Sequence, residues 1–113
     1  MYLLEEISMK TRPFTYNERL GIQLPTLNHE WETYSKDEQQ IILLEWEIIR
    51  GSIPDRIEEL ETLINHKQAE LGNEADFPRS CRLNTEISEL ASIINDLWLW
   101  YRTNQEIAKK GHL

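Results

Sequence analysis

The stretch IEELETLINHKQAELGNEADFPRSCRLNTEISEL, Ile57 to Leu90, decides the fold, because its apolar residues keep one helical spacing on both sides of a break. Ile57, Leu60, Ile64, Lys67 and Leu71 recur at alternating steps of three and four, the seam of a helix packed lengthwise on another. Gly72 and Asn73 stop that helix. Asp76 then suits a cap, and Pro78 falls inside a new first turn, where a missing amide costs no hydrogen bond. From Phe77 the second seam runs through Leu83, Ile87, Leu90, Ile94, Leu97 and Tyr101, until Gly111 offers a stop with Lys109 and Lys110 suited to the last turn. Two seams separated by a few residues predict a long antiparallel helical hairpin, about residues 53–72 and 77–109, with its tip near Gly72 to Ala75.

Upstream, Ser35-Lys36-Asp37-Glu38 reads as a capping box directly before an apolar run, which predicts a helix over about residues 36–50. Ile41, Ile42, Leu43, Leu44, Trp46, Ile48 and Ile49 cover most of its circumference, so burial on several sides is expected. Glu45 falls between Ile41 and Ile49 and therefore pairs with an arginine or stands at an edge. Gly51-Ser52-Ile53-Pro54-Asp55 predicts a corner between this helix and the hairpin. Residues 1–34 form an irregular N-terminal arm interrupted by Pro13, Gly21 and Pro25. Within it, Thr15 to Glu18 resembles a capping box for one helical turn ended by Gly21, and Leu27, Trp31 and Tyr34 share one face of a second short helix. The expected fold is all-α: a single domain over residues 1–113, its helical region at 35–113.

Composition narrows the function classes. With 40% hydrophobic and 28% charged residues the chain reads as globular. One cysteine closes no intramolecular disulfide, and no basic start followed by an apolar run and a cleavage site marks a leader, so a cytoplasmic protein is expected. The longest apolar runs, IILL at 41–44 and LWLWY at 97–101, are far shorter than the roughly 20 residues of a spanning helix. Net charge is −8, and residues 30–76 hold thirteen acids against four bases, which accounts for the excess. Such a surface repels phosphate backbones, so no direct nucleic-acid binding is expected. A helix lying on lipid wants basic flanks, so no membrane partner is expected either.

The segments Ile57 to Leu71 and Asp76 to Leu90 together resemble the UVR motif, the short helical hairpin of the excision-repair proteins UvrB and UvrC and of regulators of Clp-type proteases. The second half carries the likeness. Its Asp-Phe pair, two small residues, leucine and acidic-Ile-x-x-Leu pattern fall on Asp76, Phe77, Ser80, Cys81, Leu83, Glu86, Ile87 and Leu90 without a gap. Pro78 stands where a glutamate is usual, Asn84 and Thr85 replace an Arg-Asp pair, and Gly72 to Ala75 lengthen the connection. The resemblance implies a protein-binding hairpin without catalytic residues, which pairs with a second hairpin or docks a partner protein.

Chemistry centred on Cys81 is the competing class. Arg79, Arg82 and a helix N-terminus would favour a thiolate there, making a redox sensor or small enzyme the alternative to simple packing on the seam's flank. Catalysis also wants a base, and neither His29, His66 nor His112 is tied to the cysteine by a recognisable pattern. No Glu-x-x-His pair, zinc spacing or glycine-rich phosphate loop occurs, so no metal, cofactor or catalytic residue is assigned.

The apolar excess points instead to association. If the hairpin runs straight, LWLWY falls beside the Gly51 corner and the helix bearing Trp46. Trp46, Leu97, Trp98, Trp100 and Tyr101 are therefore the candidate protein-binding residues, for a homodimer or for a partner with a basic surface. The other outcome for the same cluster is the core of a three-helix monomer, closed by Phe14, Tyr16 and Trp31 of the arm.

Overall fold

The structure, a computed structural model, describes residues 13–103. It is mostly helical, and the expected hairpin is present. Helix α1 spans Lys36–Gly51, α2 spans Ile53–Gly72 and α3 spans Phe77–Tyr101. The capping box at the head of α1 forms as expected: the Glu38 amide donates to Ser35 Oγ at 3.1 Å and the Ser35 amide donates to Glu38 Oε1 at 2.8 Å. At Ser52 the chain stays in the right-handed helical region, so α1 and α2 join as one long bent helix. Ser52 gives no side-chain cap to α2, because its hydroxyl turns back to donate to the Ile49 carbonyl at 2.6 Å. Asp76 does cap α3, accepting from the Arg79 amide at 3.1 Å, with Pro78 in the first turn.

The helices double back across residues 73–76. Lys67 pairs with Glu86 at 3.0 Å, and Arg79 reaches back to Glu70 at 2.7 Å and Glu74 at 3.1 Å, which fixes the antiparallel register. Helix α3 ends sooner than the sequence suggested: Arg102 caps it, and the amides of Arg102 and Thr103 close on Trp98 and Trp100. The anticipated continuation to residue 109 and the stop at Gly111 lie outside the described residues.

In the N-terminal arm the expected helical turns give way to a β-hairpin. Strands β1 (Phe14–Asn17) and β2 (Ile22–Pro25) pair antiparallel, with Phe14 opposite Pro25 and Asn17 opposite Ile22. Asn17 starts the turn instead of a helix, its side chain accepting from the Leu20 amide at 2.9 Å and its carbonyl from the Gly21 amide at 2.7 Å. Gly21 closes the turn at φ +75°, and a Cβ there would collide with the Arg56 guanidinium, which docks on the Leu20 carbonyl at 2.9 Å. The second expected helix is a single 3-10 turn, Trp31–Thr33.

Two apolar clusters meet at the base of the helical hairpin. One joins Leu20 and Ile22 of the arm to Ile53, Ile57, Leu60, Ile93 and Leu97. The other joins Phe14 and Tyr34 to Ile42 and Trp46 of α1. Ile49 and Trp100 border both. The arm thus covers the base while the far half of the hairpin projects from it, giving extents of 60 × 25 × 24 Å.

Candidate interaction surface

The residues predicted to anchor a partner separate into two groups. Trp46 and Leu97 are fully buried, so neither is available to a docking protein in this fold. Trp46 stacks on Phe14 with ring centroids 6.4 Å apart, meets Trp100 edge-on at 5.8 Å and donates its indole N–H to the Thr103 carbonyl at 2.6 Å. The β-hairpin explains this correction, because it supplies Phe14, Leu20 and Ile22 to the end of the molecule that the sequence left open. Trp100 and Tyr101 are half-buried around the same core, whereas Trp98 is 39% exposed and lies edge-on against Tyr101 at 5.5 Å.

Arg50 ties α1 to this end. It donates to the Tyr101 carbonyl at 2.8 Å, lies 4.9 Å from the Tyr101 ring centroid and pairs with Glu47 at 2.8 Å. Hydrogen bonds from Arg50 hold the Glu47 carboxyl below the usual carboxylate range, and the same bonds raise Arg50. The arm is clamped to α3 by Arg19, which reaches Asp96 at 2.8 Å, Ser92 at 3.1 Å and Glu89 at 3.3 Å. Those carboxylates raise the Arg19 pKa, the Asp96 hydrogen bond most of all. Arg19, Leu20, Ile22 and Arg56 were not singled out from the sequence. The available signal was the alternation of FTY and IQL around a glycine, the mark of a short hairpin.

Along the seam, Ile57, Leu60 and Leu83 are buried, while Ile64, Leu71, Ile87, Leu90 and Ile94 are half-buried. Two helices cover each other along only one line, which leaves the flanks of the projecting seam residues open. Phe77 departs from its predicted place: it is 77% exposed, because the first residue of α3 lies past the end of α2. Leu44 and Ile48, expected inside, are 65% and 70% exposed on the outer face of α1, since the core takes only its Ile42–Trp46 side. Glu45 is half-buried, with Oε2 buried and lacking a hydrogen-bond partner, so the expected arginine pair does not form among the described residues.

Cys81 is exposed and does not pack between the helices. Arg79, one of its two expected activating arginines, is turned to Glu70 and Glu74. His29 and His66 are exposed, and His112 lies outside the described residues. Among the described residues no group of three or more His, Cys, Asp or Glu is placed to hold a metal ion, and no helix is long and apolar enough to cross a membrane. Comparison with protein-family models, curated proteins and solved structures finds no match for this chain.

Proposed function

We propose that this chain is a non-catalytic protein–protein interaction module that works by packing its helical hairpin against a second hairpin, in a homodimer first and as an adaptor for another protein second. The observation that carries it is the open flank of the hairpin, where Ile64 and Ile87 of the projecting half, and Leu90 and Ile94 at the border of the base cluster, are only half covered by their own chain. Burying a large apolar side chain completely is worth about 1.5–3 kcal/mol, so a second hairpin laid along this line completes burial that one hairpin begins. The likeness of residues 57–90 to the UVR motif supports the same use. The acidic middle of the chain favours a basic surface on any different partner and disfavours direct nucleic-acid or membrane contact. The proposed setting is the cytoplasm. Light scattering across a concentration series tests the reading: the expected result is a mass rising toward twice that of the chain, and a constant monomer mass rejects self-association.

The exposure of Cys81 favours a second reading, a thiol-based sensor or small enzyme. Titration with a thiol reagent near neutral pH separates the two. The interaction reading expects labelling at the rate of an ordinary exposed thiol; labelling many-fold faster in the folded state supports the sensor.

A further inference from the structure

Helix α3 carries five charged side chains, Arg79, Arg82, Glu86, Glu89 and Asp96, and at about 100° per residue all five fall within about 100° of arc. Four of them are engaged inside the chain: Arg79 with Glu70 and Glu74, Glu86 with Lys67, and Glu89 and Asp96 with Arg19. The opposite flank, from Asn84 through Ile87, Ala91 and Ile94 to Trp98, holds no charge at all. Ile87 and Ile94 are half-buried there, and Asn84, Ala91 and Trp98 are exposed. Ala91 and Ile94 join Ile64 in lining an open groove of about 500 Å³, whose lining includes one charge, Glu61. A helix face turned to water ordinarily carries charge, and 28% of this chain is charged, so a bare face along most of a 25-residue helix needs an occupant.

We infer that the occupant is a second copy of this chain, packed antiparallel along the uncharged face of α3 with Ala91 at the two-fold axis. The inference rests on the proposed self-association and names its face. Two copies of net charge −8 repel one another, and a two-fold contact sets each patch against itself, so an acidic face would oppose like charges. The α3 side of this face is free of that cost, and Glu61 of α2 is the one charge lining the groove beside it. Ala91 lies midway along it and is small enough for close approach of the two helices, which brings Trp98 of each copy over Asn84 of the other. Together with the α2 flank across the groove, which carries Glu61, Ile64 and Asn65, the face is about 30 Å long and about 20 Å wide, roughly 600 Å² against the roughly 800 Å² each partner buries in a standard interface.

Sedimentation equilibrium on the full chain tests the face. The expected result is a wild-type dimer whose dissociation constant rises at least about tenfold in Ala91→Glu and in Ala91→Lys, with helix content unchanged because Ala91 is exposed. An equal mixture of the two variants is expected to re-form a dimer, which a folding defect in either would prevent. Leu44→Glu, on the outer face of α1, is expected to leave the constant within about twofold. A dimer that survives Ala91→Glu, whether or not Leu44→Glu dissolves it, overturns this face and leaves self-association standing. Failure of the mixture to re-form overturns the placement of Ala91 at the axis. A wild-type monomer at every concentration overturns both the inference and the reading beneath it.

Discussion

Trp46 shows how one residue changes meaning between sequence and structure. Its place on α1 and its size suit an interface anchor, yet Phe14, Trp100 and the Thr103 carbonyl enclose it. Truncating such a side chain removes its transfer energy and leaves a cavity, so Trp46→Ala is expected to destabilise the fold by about 3–5 kcal/mol. Trp46→Phe keeps much of the volume but leaves the buried Thr103 carbonyl without its donor, at about 1–3 kcal/mol. Chemical denaturation followed by circular dichroism reads both. If Trp46 anchored a partner instead, Trp46→Ala would weaken association and leave the monomer's stability nearly unchanged.

At the scale of elements, the arm and the helices differ in how they are specified. The helices carry their instructions locally, in the caps at Ser35 and Asp76 and in apolar steps of three and four, so their existence and pairing were legible. Four-residue strands have no such redundancy. Phe14 to Asn17 pair with Ile22 to Pro25 because α2 and α3 offer Leu20 and Ile22 a surface, and Arg56 and Arg19 hold the turn against them. The Glu47–Arg50 pair within α1, whose arginine also reaches the end of α3, carries a pH signature. Arg50 depresses the Glu47 pKa, so the pair's stabilisation is fully present above the unfolded carboxyl value, about 4.3, and is lost as pH falls through the lower folded value. Glu47 is half exposed, and solvent screening holds the effect below about 1 kcal/mol. Glu47→Gln is expected to flatten this part of the stability curve between about pH 5 and pH 3, measured by urea denaturation at each pH.

For the whole molecule, charge distribution matters more than charge sum. Acids predominate along the middle of the chain, and the outer flank of α3 is bare. Association through a bare face between acidic copies is opposed only by longer-range repulsion, which salt screens. Raising sodium chloride from about 0.1 M to about 1 M shortens the Debye length from about 10 Å to about 3 Å, so self-association is expected to tighten several-fold, read by light scattering. A dimer held by ion pairs would loosen over the same range. By itself the sequence determined the helical hairpin, its tip near Asn73, a bend near Ser52 and the nearness of the LWLWY segment to α1, because these follow from spacing and chain-breaking residues within a few turns of chain. Only the tertiary structure decided that the arm pairs as strands, that Trp46 and Leu97 are enclosed, and that Leu44, Ile48, Phe77 and Cys81 face outward. The physical reason is that periodicity marks an apolar side chain as available for burial, while burial itself depends on which distant surface the folded chain lays over it.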